Sequence, residues 1–248
     1  MAVVPGAEPW SADGDGTGVL VIHGFTGSPA SVRPWAAELA AQGWTVRVPR
    51  LPGHGTRWQD MNLTTWQDWY AEVDAALADL RARCDHVFVM GLSMGGTLTL
   101  RLAEQHGAEI AGIVLVNPSI NTERIDRFAL PLVQRFVASF PGISNDIAKP
   151  GQDEVAYDRL PLKAAYSLSQ LWSVTKAGIA SITQPVLLFR SLNDHVVEPS
   201  NAAYILANVS SADVTEVVLP DSYHVATLDH DAPLIVRDSI AFVRRLVG

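Results

Sequence analysis

The sequence predicts an α/β fold in which a mostly parallel central sheet is flanked by helices. Short runs rich in β-branched residues alternate with longer segments in which apolar residues recur at helical spacing. Each return to a parallel strand needs a crossover, and the helical segments are long enough to provide one. Because the alternation is interrupted once and then resumes, we expect a single domain over residues 1–248 rather than two domains joined by a linker.

The first half of the alternation predicts seven elements. They are strands at 18–24, 44–51, 86–91 and 110–118, and helices at 31–43, 64–84 and 95–107. Gly43 closes the first helix, since glycine readily adopts the left-handed conformation that ends a helix. Trp66, Trp69 and Tyr70 share the helical spacing of the apolar residues that follow them, so we interpret them as core rather than as a ligand cage.

The alternation breaks after Pro118, and residues 119–184 contain no convincing strand. Two stretches there, 124–140 and 160–182, are helix-like. The alternation then resumes with strands at 185–191 and 215–220 and helices at 201–209 and 233–248. We therefore interpret residues 119–184, called the insertion below, as a segment inserted into the α/β domain.

Composition and charge exclude several classes of function. With 48% hydrophobic and 18% charged residues, the chain has a globular rather than a disordered composition. The formal charge of −8 repels nucleic acid and no basic cluster offsets it, so we expect no nucleic-acid partner. The single cysteine, Cys84, excludes an internal disulfide. We expect a cytoplasmic protein, because the N-terminus lacks a basic, apolar leader and no apolar run reaches the roughly 18 residues of a membrane span.

A glycine-flanked serine stands where a predicted strand meets a predicted helix. Residues 91–95 read Gly-Leu-Ser-Met-Gly, which fits the G-x-S-x-G pattern of a nucleophile on a sharp turn. Such a turn has an unfavourable backbone, and glycines two residues either side remove the clashes that side chains would cause. The alternative is a helix start with small residues for close packing. The strand-turn-helix context favours Ser93 as a nucleophile.

A serine nucleophile needs a histidine base that is oriented by a carboxylate, and in this pattern the carboxylate precedes the histidine along the chain. Asp194 follows the strand at 185–191, and His224 follows the strand at 215–220. Both therefore stand at the carboxyl ends of parallel strands, where α/β sheets bind ligands. We predict His224 as the base and Asp194 as its partner. Glu198 is the alternative carboxylate, although its place near a helix start also suits a capping role.

Acyl transfer also requires hydrogen-bond donors for the oxygen that becomes negatively charged. The Met94 N–H lies at the start of a helix, where unpaired N–H groups favour an anion. A second donor should come from the loop HGFTGS (23–28), and we predict the Phe25 N–H, with Gly24 and Gly27 allowing close approach. The same glycines could cradle a phosphate, but no G-K-[ST] follows them, so nucleotide binding is only weakly indicated.

Four stretches together resemble the α/β-hydrolase superfamily, and within it the bacterial monoacylglycerol lipases and small carboxylesterases. The stretches are HGFTGS (23–28), GLSMGG (91–96), SLNDHVVEP (191–199) and DSYHVATLDH (221–230). The resemblance implies the α/β-hydrolase fold and a serine esterase that needs no metal or cofactor. It assigns Ser93, Asp194 and His224 to the catalytic triad and the backbone N–H groups of Phe25 and Met94 to the oxyanion hole. It also implies that the insertion is a small helical cap over the acyl site.

The implied activity is cleavage of the ester bond of monoacylglycerols to fatty acid and glycerol through an acyl-enzyme. A short-chain carboxylesterase is the alternative, since it would use the same residues without glycerol contacts. A binding protein on the same scaffold is disfavoured because the triad is complete. The segment 153–161 resembles the part of the lipase cap that recognises glycerol, which implies that Glu154 contacts a glycerol hydroxyl. The alternative for Glu154 is a solvated acid at a helix start.

The stretch 122–142 carries more apolar side chains than one buried helix face can hold. These are Ala129, Leu130, Leu132, Val133, Phe136, Val137 and Phe140. An exposed apolar patch of this kind usually marks a binding or membrane contact. We expect this stretch to line an acyl tunnel on its inner side and to touch lipid aggregates transiently on its outer side. Nothing in the sequence indicates an oligomeric state.

Overall fold

A computed structural model describes residues 2–248 and places a seven-stranded sheet between two layers of helices. The strands are β1 (Trp10–Ala12), β2 (Thr17–Ile22), β3 (Thr45–Val48), β4 (His86–Leu92), β5 (Gly112–Val116), β6 (Ser139–Pro141), β7 (Arg159–Pro161), β8 (Val186–Ser191) and β9 (Val214–Leu219). The helices are α1 (Arg33–Ala40), α2 (Trp58–Met61), α3 (Trp66–Arg81), α4 (Met94–His106), α5 (Leu130–Val133), α6 (Leu162–Gly178), α7 (Ser200–Asn208) and α8 (Ala232–Val247).

The main sheet has the strand order β1-β3-β2-β4-β5-β8-β9. Every neighbouring pair is parallel except β1 and β3, which are antiparallel at one side of the sheet. The predicted mostly parallel sheet flanked by helices is confirmed. The registers place Leu92 opposite Val116 and Ser191 opposite Leu219, so the C-terminal ends of the parallel strands meet on one side. We call this side the carboxyl edge.

Both faces of the central strands are buried. In β4, Val87 and Val89 pack into the cluster formed with α3, α4 and α6, whereas Phe88 and Met90 pack into the cluster formed with α1 and α8. A strand that is covered on both faces reads as a continuous apolar run rather than as an alternation. This is why the sequence pattern identified the central strands. Sheet and helices together form a rigid support for the loops at the carboxyl edge.

Two predictions about the insertion are wrong. Residues 119–184 do contain strands, because β6 and β7 pair as a separate two-stranded sheet, although each has only three residues and ends in a proline. The predicted helix at 124–140 is reduced to a 3₁₀ turn at Ile125–Phe128 and the single turn of α5. Its apolar residues recur at helical spacing, but Phe128, Leu132 and Phe136 are exposed, so burial does not stabilise a longer helix there.

The strands and helices predicted outside the insertion are confirmed, with ends that differ by a few residues. The sequence pattern missed β1 and α2, which are too short to carry a periodic signal. Within residues 2–248, no helix combines the length and the apolar character needed to cross a membrane. The division into a single domain with a cap at about 119–184 stays a prediction.

Candidate active site

Ser93 occupies a sharp turn at the carboxyl edge, between the end of β4 and the start of α4. Its φ of 56° and ψ of −117° lie in a region that non-glycine residues rarely adopt, at a cost of about 1–3 kcal/mol. A Cβ on Gly91 would lie 2.2 Å from the carbonyl carbon of Gly95, and one on Gly95 would lie 2.2 Å from the Ile22 oxygen. Both flanking positions therefore require glycine for the strand to turn into the helix so closely.

The neighbouring strand fixes the backbone of this turn. The Ser93 N–H donates to the Val116 oxygen over 3.0 Å, and the Ser93 oxygen accepts from the Ser119 N–H over 3.2 Å. Ser93 is 7% exposed. Its hydroxyl makes no side-chain hydrogen bond to His224 within the part of the chain that the structure describes, and such contacts often tighten only when substrate binds.

Asp194 and His224 form a buried hydrogen-bonded pair that joins two loops of the carboxyl edge. The His224 Nδ1 lies 2.8 Å from the Asp194 Oδ2, and the two side chains are 9% and 6% exposed respectively. The other carboxylate oxygen of Asp194 accepts the N–H groups of Val196 and Val197, each over 2.8 Å. These bonds hold the carboxylate in one orientation. With its Nδ1 proton donated to Asp194, His224 keeps the Nε2 lone pair as an acceptor.

Each member of the pair favours the ionised form of the other. Burial of His224 opposes protonation, but Asp194 outweighs it with help from Glu154 and Asp146, so the pKa of His224 is raised. Burial of Asp194 opposes ionisation, but His224 and the two backbone N–H groups outweigh it, so the pKa of Asp194 is lowered. The imidazolium that forms when His224 takes a proton is therefore stabilised.

Two backbone N–H groups near Ser93 have no hydrogen-bond acceptor among the residues described. Neither the Phe25 nor the Met94 N–H donates to any group within residues 2–248. Met94 opens α4, and Phe25 lies in the loop that follows β2. A Cβ on Gly24 would lie 3.3 Å from the Ser93 Cβ, so this loop passes directly over the serine. The arrangement offers two free donors beside one hydroxyl.

The loop after β2 is shaped by His23, which is fully buried beneath it. The His23 Nε2 accepts the Leu51 N–H over 3.2 Å, so its proton is on Nδ1, which lies 3.0 Å from the Gly24 oxygen. Burial lowers the pKa of His23 to about 4, which keeps the ring neutral and able to make both bonds. His23 thus has a structural role that fixes the position of Gly24.

Glu154 lies in a loop of the insertion and not at a helix start. This loop packs against the loop that follows β2, near Gly27. Its Oε1 accepts the Asn145 N–H over 2.7 Å, and its backbone N–H donates to the Asn145 side chain over 2.9 Å. Its Oε2 would lie 3.6 Å from a Cβ on Gly27 and has no hydrogen-bond partner among the residues described. Burial raises the pKa of Glu154, against the effects of the Asn145 N–H and of His224. Glu154 is close enough to interact electrostatically with His224.

Glu198, the alternative carboxylate, makes no hydrogen bond to His224 among the residues described. It accepts the Glu123 N–H over 3.0 Å and thereby anchors the start of the insertion. Two other histidines that follow Ser93 in the chain are not placed as its base: His106 is hydrogen-bonded to Asp74 over 2.6 Å, and His230 is exposed. Among the carboxylates proposed from sequence as its partner, the structure pairs Asp194 with His224.

Two residues that the sequence did not single out contact the His224 loop. Asn117, at the end of β5, donates its Nδ2 to the His224 oxygen over 2.8 Å and accepts the Ser191 N–H over 2.8 Å. Its φ of 43° suits asparagine, which tolerates the left-handed region better than most residues. Its place at a strand end, directly before Pro118, is a feature by which the sequence could have indicated Asn117. The second residue, Asp146, accepts the His224 N–H and has no such signature.

The sequence family described as serine aminopeptidase S33 matches residues 16–231. The chain is 44% identical to the thermostable monoacylglycerol lipase of Bacillus sp. (strain H-257), over 99% of this chain and 98% of that protein. It is 26% identical to a carboxylesterase of Bacillus subtilis (strain 168), over 96% of this chain and 97% of that protein. A solved structure from work on the metagenome-derived lipolytic enzymes LipS and LipT is 42% identical, with a TM-score of 0.95 over 98% of this chain and 100% of that chain.

Proposed function

Because the chain belongs to the serine aminopeptidase S33 family and has the α/β-hydrolase fold, we propose that it hydrolyses monoacylglycerols to a fatty acid and glycerol. The observation that carries the proposal is the likeness to a monoacylglycerol lipase over nearly the whole length of both chains, the insertion included. Acyl transfer is the chemistry that suits a strained serine, a buried carboxylate–histidine pair and two free N–H donors.

In the proposed reaction the Ser93 hydroxyl attacks the ester carbonyl while the His224 Nε2 takes its proton. Asp194 stabilises the imidazolium and holds its ring orientation. The N–H groups of Met94 and Phe25 bind the tetrahedral oxyanion. His224 then gives the proton to the leaving glycerol oxygen, which leaves an acyl group on Ser93. Water attacks this acyl-enzyme by the same steps and releases the fatty acid.

Glu154 is the proposed contact for the glycerol headgroup. Its Oε2 is free, and a carboxylate oxygen accepts hydrogen bonds from hydroxyl groups. Its other oxygen is fixed by Asn145, so the free oxygen has a defined direction beside the loop at Gly27. A simple ester has no hydroxyl for this acceptor. Glu154 therefore favours binding of glycerol esters over esters of simple alcohols.

The stretch 122–142 is proposed to touch lipid aggregates and to form part of the cap over the acyl chain. It exposes large apolar side chains to solvent: Ile125 (85%), Phe128 (75%), Leu132 (61%), Phe136 (82%) and Phe140 (46%). A monomeric protein rarely exposes so many together without a binding role. A transient contact with a lipid surface would bring the site to its poorly soluble substrate. The cytoplasmic location stays a prediction.

A panel of substrates tests the proposed activity. We expect kcat/KM for a medium- or long-chain monoacylglycerol to exceed that for the matching diacylglycerol, because a covered site has no room for the second acyl chain. A triacylglycerol and a short-chain ethyl ester complete the panel. Equal rates on monoacylglycerol and diacylglycerol would contradict the proposal, and a preference for the ethyl ester would indicate the short-chain carboxylesterase instead.

A further inference from the structure

One short segment of the insertion is attached directly to the loop that carries His224. Asp146 accepts the His224 N–H at its Oδ2 over 3.1 Å, and the Asp146 backbone oxygen accepts the Val225 N–H over 3.1 Å. In the other direction, Asp229 accepts the N–H groups of Ala148 and Lys149 over 2.7 and 2.9 Å. The carboxylates of Asp146 and Asp229 therefore join residues 146–149 to the loop that carries His224.

The Asp146 carboxylate also holds the loop of the catalytic carboxylate. Its Oδ1 lies 2.8 Å from the His195 Nδ1, and its Oδ2 accepts the His195 N–H over 3.2 Å. His195 directly follows Asp194 in the chain. The Asp146 side chain is only 11% exposed, so water competes little for these bonds. One carboxylate thus binds the backbone of His224 and the residue next to Asp194 at the same time.

The backbone of His224 is consequently held from two sides. Its oxygen accepts from Asn117, which belongs to the sheet, and its N–H donates to Asp146, which belongs to the insertion. Fixing both peptide groups of a residue fixes the direction of its Cα–Cβ bond, and hence where the imidazole points. Only the second of these two contacts is supplied from outside the sheet.

We propose that Asp146 is a positioning residue, which aligns His224 with Ser93 and Asp194 with His224 by binding the backbones of both loops. The proposal rests on the proposed serine-esterase function of the site. Asn145 extends the connection, since it exchanges two hydrogen bonds with Glu154, the proposed headgroup contact. A short chain of bonds thus runs from the glycerol-binding carboxylate to the base, and the insertion takes part in catalysis as well as in recognition.

The test compares Asp146→Ala with Asp146→Asn on a water-soluble p-nitrophenyl ester, which has no glycerol group. We expect Asp146→Ala to lower kcat by about 10²-fold, the usual effect of a small displacement of a catalytic group. KM should change by less than about threefold, because no substrate contact is removed. Asp146→Asn keeps an oxygen that can accept the His224 N–H, so it should restore kcat to within about tenfold of the wild type.

The matched control is Glu38→Ala, which removes an exposed carboxylate on α1 that has no role in the site and should leave kcat unchanged. The pH profile adds a readout that a purely structural role would not move. His224 faces Asp194, Glu154 and Asp146, and all three negative charges favour its protonated form. Removing the Asp146 charge should therefore move the acidic limb of kcat/KM to lower pH in both Asp146 variants.

A wild-type kcat in Asp146→Ala would overturn the proposal, as would an equal loss of kcat in Asp146→Ala and Asp146→Asn. If Asp146→Ala does not fold, as judged by circular dichroism, the Asp146→Asn variant decides: a kcat within about tenfold of the wild type together with an acidic limb at lower pH supports the proposal, and a kcat lowered by about 10²-fold or an unmoved limb overturns it. A wild type that hydrolyses no ester contradicts the proposed function itself. An active wild type with indifferent Asp146 variants contradicts only the positioning role.

Discussion

The carboxyl edge of the sheet and the insertion hold their functional side chains by different means. At the edge, Ser93 and Asp194 follow the strands β4 and β8, which are covered on both faces, and His224 follows β9, which pairs with β8 along its length. In the insertion, Asn145, Asp146 and Glu154 lie in irregular backbone and are fixed by a few hydrogen bonds between side chains and the main chain. The residues proposed for the reaction thus follow paired strands, and the residue proposed for recognition lies on a segment that depends on a few polar contacts.

The largest expected effect comes from a substitution in the site at the carboxyl edge. Asp194→Asn should lower kcat by about 10⁴-fold, because an amide no longer holds the His224 proton on Nδ1 or stabilises the imidazolium. The acidic limb of the pH profile should also move down, since loss of the Asp194 charge lowers the pKa of His224. Steady-state kinetics across pH measure both changes. Asp85→Asn, an exposed aspartate just before β4, is the control and should leave both unchanged.

Acid should destabilise the fold through the histidines that are buried beneath the loops of the carboxyl edge. His23 has a pKa of about 4 in the folded protein, below its ordinary value of 6.5, and burial also lowers the pKa of His54 well below that value. The unfolded chain therefore binds more protons than the folded chain as pH falls from 6.5 to 4. His23 alone should remove on the order of 3 kcal/mol of unfolding free energy over this window. Urea unfolding of the wild type and of His23→Gln measures the difference, and identical pH dependence in both would contradict the prediction.

A change in the insertion should have a smaller effect that depends on the substrate. Glu154→Gln keeps the size of the side chain but removes a charged acceptor, so kcat/KM for a monoacylglycerol should fall about tenfold. The same variant should hydrolyse the p-nitrophenyl ester at close to the wild-type rate. Glu72→Gln, on α3, is a control for the loss of a carboxylate. Equal losses on both ester types would assign Glu154 to the chemistry instead of the headgroup.

The smallest expected effect concerns the exposed apolar stretch. Phe136→Ser removes a large side chain that contributes little to the core, so the unfolding temperature should change little. The rate on monoacylglycerol dispersed in vesicles should fall by about three- to fivefold, the loss expected for one exposed aromatic contact with lipid. The rate on a monomeric short-chain ester should stay unchanged. If the two rates fall together, the side chain serves the site rather than a lipid surface.

The same division explains which features the sequence could predict. The central strands were visible because burial on both faces demands a continuous apolar run, and the predicted family membership is confirmed. Asp194 and His224 could be proposed because parallel strands bring their ends together, and the structure places the two side chains in contact. Their catalytic roles, like that of Ser93, stay predictions. Asp146 could not be found, since it meets His224 across 78 residues through a loop that no periodic pattern describes.

Sequence patterns did not predict the short elements of the insertion, and the reason is different. Pairing of β6 with β7 involves three residues on each side, and both strands end in proline, which sequence patterns normally place outside strands. In 124–140 the apolar residues recur at helical spacing, which predicted a helix. Phe136 and Leu132 are exposed, so burial does not stabilise a helix there. A helical apolar pattern predicts a helix reliably where its apolar face is buried against a sheet. In 124–140 several large apolar side chains are exposed instead.

Reaction with a fluorophosphonate tests the central claim most directly, because this reagent needs an activated serine and an oxyanion hole but no glycerol contact. Intact-mass measurement followed by peptide mapping should find one adduct, on Ser93, which forms much more slowly in His224→Ala and not at all in Ser93→Ala. Ser173→Ala, which changes an exposed serine on α6, should react like the wild type. An unmodified wild type, or an adduct on another residue, would contradict the account.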